Sequence, residues 1–254
     1  MSPRLAFAVD AATVAGRFTL AHFQTGVARE TKADETPVTV ADKGAERIIR
    51  ELIAEAFPGE HILGEEEGGD AQVPDRWVVD PIDGTKSFVS GVPLYATLIS
   101  YERDFQPVLG VAFFPALDEL LYAGAGEGTY WNGRVAQVST KKEIAGSVVC
   151  CGGHRSMIKH GRWPGFEKIA AQAMATRTWS DAYGHALVAT GRVEAMVDPI
   201  VTRWDLSAMA IIVEEAGGKF TSFDGSPSLV RKDDLQALSS NGLVHRELIE
   251  AFSG

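Results

Sequence analysis

The stretch from Trp77 to Phe88, WVVDPIDGTKSF, constrains the chain more than any other. Its opening run, Trp77-Val78-Val79, reads as a strand buried on both faces, because β-branched and aromatic residues suit a pleat covered above and below. Pro81 has no N–H to give the ladder and is expected to end that strand. Asp80 and Asp83 stand three positions apart in the turn and can project toward one point. Gly84 permits close backbone approach. Thr85 is placed to cap a short helix, whose free N–H groups suit an anion such as phosphate. Two carboxylates beside a phosphate are unfavourable by themselves: like charges ~4 Å apart repel by roughly 4 kcal/mol at an effective dielectric of 20. A divalent cation between them reverses the sign, and hard oxygen ligands with phosphate point to Mg²⁺. The alternative is an Asx-type turn, with both aspartates only satisfying backbone donors.

Charge supports the cation. The chain carries a net charge of −10 and shows no basic cluster, which excludes nucleic acid as a partner. The same acidity repels a phosphate ester, so the attraction has to come from bound metal. With 45% hydrophobic and 23% charged residues, the composition is that of an ordinary soluble globular protein. Its 254 residues suffice for a large core in one domain or in two closely packed lobes. The lobes are expected at residues 1–140, with the metal and phosphate site, and 141–254, completing that site; the polar segment Val138 to Glu143 joins them. Cys150 and Cys151 are adjacent and cannot close a useful loop, so no disulfide framework is expected. The N-terminal MSPRLAFAVDAATVAGRF interrupts its apolar positions with Asp10 and Arg17, unlike a secretory h-region or a membrane span. A cytoplasmic protein without membrane partners is expected.

Other carboxylates share the habit of Asp80. Leu5 to Phe23 has helical spacing, and a polar loop from Arg29 to Pro37 carries Lys32. The next helix has Asp42 in its first turn, where the helix dipole alone favours a carboxylate; a functional role is the other reading. The strand His61 to Gly64 runs into Glu65-Glu66-Glu67. Such a run is usually a solvated loop, yet this one follows a strand end, so one glutamate can point into the same cleft. Ala96 to Tyr122 reads as an antiparallel meander. GAGEGTYWNG, Gly124 to Gly133, lacks the lysine and helix of a P-loop and reads as a hairpin. A strand then ends at Cys151, a loop holds His154 and Arg155, and a helix begins near Phe166. Arg177 to Trp179 forms a short strand before SDAYG and a helix; Glu194 to Val197 is a strand ended by Asp198-Pro199. Trp204-Asp205 opens an apolar helix that stops at Gly217-Gly218.

Glu65, Asp80, Asp83 and Asp205 each sit where a strand ends or a helix begins. Asp205 alone would pass as an N-cap; four independent caps are a strained account of the set. GEE (Gly64 to Glu66), DPIDGT (Asp80 to Thr85), and WD followed by an apolar helix and EEAGG (Trp204 to Gly218) together resemble the inositol monophosphatase family. Order and spacing agree from about Lys32 to Gly218.

The resemblance implies an α+β fold, a layered αβαβα sandwich, and hydrolysis of a small-molecule phosphate monoester with two or three Mg²⁺ ions. It implies metal ligation by Glu65, Asp80, the Ile82 carbonyl, Asp83 and Asp205, and phosphate binding by Asp83 and the backbone of Gly84 and Thr85. Glu65, Thr85 and Asp42 become the catalytic group, with Asp42 orienting the Thr85 hydroxyl. Lys32 lies on the loop that closes the site, and the assembly is a homodimer. Within the family, DGTKSF and SDAYG…VDP look most like the members that act on histidinol phosphate. Asp181 and Asp198 then face the leaving group, with Arg177 near the substrate. The bland alternative makes Asp181 a helix cap and Asp198 the end of a strand. Inositol phosphates, sugar phosphates and 3′-phosphonucleotides remain competing substrates. A regulatory binding protein with a secondary phosphatase site is the reading from another class.

Overall fold

The computed structural model describes residues 1–31, 37–179, 181–230 and 235–253; Lys32 lies outside them. The first helix, α1 (Pro3–Leu20), starts on Ser2, whose hydroxyl accepts the Leu5 N–H. Pro3 sits in its first turn, where a missing N–H is harmless. The short antiparallel strands β1 (Arg29–Thr31) and β2 (Pro37–Thr39) precede α2 (Val40–Ala56), which begins in a capping box between Thr39 and Asp42.

A seven-stranded sheet follows. β3 (His61–Gly64) pairs parallel with β4 (Arg76–Asp83), and the short helix α3 (Thr85–Val89) leads out of β4. β5 (Ala96–Arg103), β6 (Gln106–Phe114), β7 (Glu119–Gly124), β8 (Gly128–Trp131) and β9 (Arg134–Ala136) then form the expected meander. The chain passes to a second sheet between Ala136 and Val148. Its elements are β10 (Val148–Cys151), α4 (His154–Lys159), α5 (Trp163–Ala170), β11 (Ala175–Arg177), α6 (Asp181–Ala189), β12 (Ala195–Val201), α7 (Arg203–Glu215), β13 (Lys219–Thr221), β14 (Leu235–Ser240) and α8 (His245–Phe252). The strand order is β11-β10-β12-β14-β13, with the first three parallel.

The alternation of side chains along the strands divides the core. Val79, Ile99, Val111 and Phe113 point to one face of the first sheet, against Leu5, Ala12, Ile49 and Ile53 of α1 and α2. Leu98, Ala112 and Phe114 point to the other face, where α6 and α7 lie buried between the sheets with Cys150, Met196 and Ala237 of the second. Val149, Cys151, Val197 and Leu238 face outward from the second sheet onto Met157, Phe166, Ile169 and Leu248 of α4, α5 and α8. Helix, sheet, helix, sheet and helix are thus stacked as an αβαβα sandwich. Each large apolar side chain fully buried contributes about 1.5–3 kcal/mol. α7 is apolar almost all round, as a helix covered on both sides must be.

Several local expectations are corrected. Pro81 does not end its strand: β4 continues to Asp83, with a shift of register against β5 between Asp80 and Asp83. Pro199 likewise lies inside β12, which is bulged against β14 between Asp198 and Val201. A bulge leaves one residue out of the ladder, and proline is tolerated there. The residues from His154 form a helix rather than a loop, and α5 starts before Phe166. The glycine-rich segment is a hairpin, and α7 clamps it: the Gly126 and Gly128 N–H groups donate to the Glu215 carboxylate at 2.8 and 2.9 Å.

Two buried histidines carry a testable charge balance. His185 Nδ1 meets Ser239 Oγ at 2.7 Å, and His245 meets Thr221 Oγ1 and Ser240 Oγ at 2.9 and 2.8 Å. Burial pushes the His185 imidazole down to about 3 and that of His245 down to about 4. Above the unfolded value of about 6.5, both states are neutral and the histidines cost nothing; below it, the unfolded chain takes protons that the fold refuses. Their contribution is therefore lost as pH falls from about 6.5 toward 4. Between pH 7 and pH 5, the stability advantage of wild type over His245→Gln should shrink by about 2 kcal/mol, measured by urea unfolding. An advantage independent of pH would show that the imidazole takes up its proton as readily in the fold as in the unfolded chain.

Candidate active site

Two Asp-Pro-Ile turns frame the cleft between the sheets, one in each bulged strand. In β4 the Ile82 N–H donates to Asp80 Oδ1 at 3.0 Å. In β12 the Ile200 N–H donates to the Asp198 carboxylate. Proline removes a ladder donor, and the aspartate side chain takes up the next N–H, so the bulge is locked by the residue it presents to the cleft. The Asx turn expected at Asp80 is present, and the same residue lines the cleft, so the two readings do not exclude each other.

Asp80, Asp83 and Asp205 converge, each offering an oxygen within 4.8 Å of the other two. Asp83 Oδ2 accepts the Ala182 N–H at the start of α6 at 2.7 Å. Asp205 Oδ2 accepts the Thr202 N–H at 2.8 Å. Thr202, not Asp205, is the N-cap of α7, and Asp205 closes its capping box from the third helical position. One oxygen of each of the three carboxylates is thus fixed by a backbone N–H; the second has no backbone donor among the described residues. Burial, with repulsion from Glu65, Asp83 and Asp205, pushes Asp80 well above the usual carboxylate range, and burial with repulsion from Asp181 and Asp205 does the same to Asp83. Burial also raises Asp205, to about 6.

Thr85 lies beside this cluster. Its hydroxyl is 3.0 Å from the Ile82 carbonyl and 3.3 Å from Asp42 Oδ1. Asp42 Oδ2 accepts the Thr39 N–H and hydroxyl at 2.7 and 2.6 Å. The helix-start role of Asp42 and its contact with Thr85 therefore coexist, divided between its two oxygens. Burial raises the Asp42 carboxyl. The N-cap of α3 is Gly84 rather than Thr85, at φ 78, and a Cβ there would stand 3.0 Å from Asp181 Oδ2. Only glycine suits both the left-handed backbone and that approach.

An open cleft is lined by Glu65, Asp80, Asp83, Gly84, Thr85 and Asp205 among others. A more enclosed cavity adjoins it, sharing Asp83, Asp181 and Asp205 and adding His185 and Asp198. Asp181 begins α6 with φ 59, a left-handed conformation uncommon outside glycine, asparagine and aspartate. Burial and repulsion from Asp181 and Asp205 raise Asp198 well above the usual range, while Lys86 acts against the rise. Arg177 lines neither cavity: it is exposed on the edge strand β11, where it donates to its own Thr176 carbonyl and lies over the Trp179 ring. Of the glutamate run, Glu65 lines the cleft, while the Glu66 and Glu67 N–H groups donate to the buried Glu46 of α2 at 2.7 and 3.0 Å. Sequence reasoning missed Glu46, His185 and the Ala182 N–H. The repeated Asp-Pro-Ile was the one signal on view that would have grouped Asp198 with Asp80.

The donor set is all oxygen: Asp80, Asp83, Asp205 and Glu65, with the Ile82 carbonyl beside them. Among the described lining residues Lys86 is the one cationic side chain, too little to neutralise them. Such a set fits a hard divalent cation. Carboxylates gathered at bulged strand ends within an αβαβα sandwich define a metal-dependent phosphomonoesterase. The inositol monophosphatase family model matches residues 1–253, and the chain belongs to that family. It is 40% identical to a histidinol-phosphatase of Chlorobaculum parvum, over 99% of this chain and 97% of that one. With a histidinol-phosphatase of Streptomyces coelicolor it shares 39% identity, over 96% and 92% of the two chains. Among solved structures it is similar to the extragenic suppressor protein suhB of Bartonella henselae, with a TM-score of 0.90 and 29% identity over 99% of both chains. Among the described residues, no helix is long and apolar enough to cross a membrane.

Crowded carboxylates should cost stability when no cation is present. In chelator-treated protein, Asp80→Asn keeps an oxygen for the Ile82 N–H and removes one charge from the cluster. Its melting temperature should rise by about 2–4 °C, as for a gain of about 1 kcal/mol in a domain of this size. A fall would mean that the Asp80 charge stabilises the turn itself.

Proposed function

We propose that the chain hydrolyses histidinol phosphate, with Mg²⁺ held by Glu65, Asp80, the Ile82 carbonyl, Asp83 and Asp205. The observation that carries the substrate is the pair Asp181 and Asp198 on the cavity beside the carboxylate cluster. A neutral polyol would give these carboxylates only ordinary hydroxyl partners. Histidinol phosphate brings an ammonium and an imidazole, both able to donate charge-assisted hydrogen bonds. The 39–40% identity to proteins named histidinol-phosphatase supports the same choice. The reading includes a homodimer, which sedimentation of the purified protein tests.

When bound, the cation supplies Lewis-acid stabilisation of charge on phosphate oxygens and makes water a stronger acid. The protein's own groups do the rest. The Gly84 and Thr85 N–H groups orient the phosphate at the open end of α3. The Thr85 hydroxyl accepts one proton from the attacking water as it passes its own proton to Asp42, and Glu65 orients that water by accepting a hydrogen bond from its other proton. The Thr85 proton has two acceptors within reach, the Ile82 carbonyl and Asp42 Oδ1; once the carbonyl is engaged, Asp42 remains. Asp181 and Asp198 hold the cationic end of the substrate, which fixes the ester bond over the cluster.

Two measurements test these roles. Thr85→Val, close in shape, keeps the backbone N–H and should lower kcat by ~10²- to 10⁴-fold with little change in inhibition by inorganic phosphate. Wild-type kcat would remove the relay. Phosphate release should be screened over histidinol phosphate, inositol phosphates, sugar phosphates and 3′-phosphonucleotides. Histidinol phosphate should lead, and Asp181→Asn and Asp198→Asn should each lower its kcat/KM by roughly ten- to a hundred-fold, the cost of one charge-assisted bond. A phosphate ester of an uncharged aryl alcohol should barely respond. Equal losses on both substrates would assign the two aspartates to the architecture of the site.

A further inference from the structure

The turn that carries Glu65 is held from beneath by one buried side chain. Glu46 is fully buried on α2, one helical turn beyond Asp42 and on the same face. Its Oε2 accepts the Glu66 N–H at 2.7 Å, and its Oε1 accepts the Glu67 N–H at 3.0 Å. Arg50 holds it in place, with Nε 2.8 Å from Oε1, and also donates through Nη2 to the Gly68 carbonyl at 2.5 Å. The Gly64 N–H closes the turn onto the same carbonyl at 3.0 Å. The fit is close: a Cβ on Gly64 would stand 2.1 Å from Glu46 Oε1. On the other side of the turn, Glu65 hydrogen-bonds with Asp80.

A turn bearing three successive glutamates repels itself and, left to water, would sample many positions. Here both of its following N–H groups converge on one carboxylate, which narrows it to a single arrangement. The groups behind a ligand commonly set how well that ligand serves, and their loss typically costs 10- to 100-fold in affinity.

We infer that Glu46 is a positioning residue for the site: clasped by Arg50, its carboxylate fixes the Glu65–Glu67 turn and so sets where the Glu65 carboxylate meets Asp80 and how tightly a divalent cation is held. The inference rests on the reading of Glu65 as a metal ligand, and goes beyond it in placing the control of that ligand on α2. The same helix, through Asp42, holds Thr85. One helix thereby aligns both groups assigned to the attacking water.

The test is a titration of chelator-treated, full-length protein with Mn²⁺ as a spectroscopic substitute for Mg²⁺, followed by the loss of the free-ion electron paramagnetic resonance signal. Glu46→Gln replaces one acceptor oxygen by a donor and should weaken Mn²⁺ binding by about 10- to 100-fold while amide exchange at Glu66 and Glu67 accelerates. Gly64→Ala keeps the carboxylate but displaces it, and should reproduce both effects; it decides the matter if Glu46→Gln does not fold. In a Glu65→Gln background, Glu46→Gln should weaken binding no further, because its effect runs through Glu65. If Glu65→Gln weakens binding and Glu46→Gln and Gly64→Ala do not, or if the effects of Glu46→Gln and Glu65→Gln simply multiply, the positioning role is overturned and the ligand stands. If Glu65→Gln itself binds Mn²⁺ as wild type does, the ligand reading fails and this inference fails with it.

Discussion

Three carboxylates whose oxygens lie within 4.8 Å of one another are the constraint on which the rest of the fold depends. At such separations, like charges repel by several kcal/mol even at an effective dielectric of 20. The chain holds them together by giving one oxygen of each to a backbone N–H, of Ile82, Ala182 or Thr202. A backbone donor binds the carboxylate without neutralising it. A lysine or arginine in that place would stabilise the same geometry and abolish the site's hold on a cation. Local structures that look accidental in the sequence supply two of those donors, the proline-bearing bulge of β4 and the capping box of α7, and the start of α6 supplies the third.

None of this closes within one half of the chain. Asp80 and Asp83 come from the first sheet, Asp205 from the helix between the sheets, and the donor to Asp83 from α6. The middle helix layer therefore serves two ends: it buries the inner faces of both sheets, and it delivers a carboxylate and an N–H to the cleft. Anchoring of α7 accordingly falls to a separate buried network. Glu102 of β5 accepts from Arg76 of β4, from Arg203 at the start of α7 and from Ser207 one turn later. A buried carboxylate with two guanidinium partners is costly to break by removing one partner, so the helix that bears Asp205 is held in one register against the sheet.

Much of this was legible in the sequence because the residues that meet at the site are of types with few other uses. DPIDGT, GEE and WD each put a carboxylate at a break in an apolar run, and their order along the chain led to the fold. Other features were hidden for physical reasons. Glu46 shares the buried stripe of α2 with Ile49 and Ile53, but its residue type reads as solvated; the space its carboxylate fills is left by the absence of a side chain on Gly64, a strand away. The Ala182 N–H has no side-chain signature at all. Pro81 and Pro199 read as strand ends because proline removes a donor, yet a bulge needs no donor there, and whether a strand bulges is decided by its neighbours. Thr39-x-x-Asp42 and Thr202-x-x-Asp205 could have been read as capping boxes.

The two Asp-Pro-Ile turns show how far local geometry falls short of chemistry. Both lock a bulge, and both present a buried aspartate to the cleft between the sheets. Among the described residues, the charges that act most on Asp80 are those of Glu65, Asp83 and Asp205, a set of oxygens with no protein cation among them. Around Asp198 the crowding is lower: Asp181 and Asp205 act on it, and Lys86 opposes them. The first environment demands a small ion of double charge that can touch several oxygens at once. The second is satisfied by a single positive charge of larger radius, which an ammonium or imidazolium supplies. On the proposed function, one turn used twice separates the place where phosphate is drawn in from the place where the rest of the substrate is recognised, and the difference lies in the neighbours each aspartate keeps.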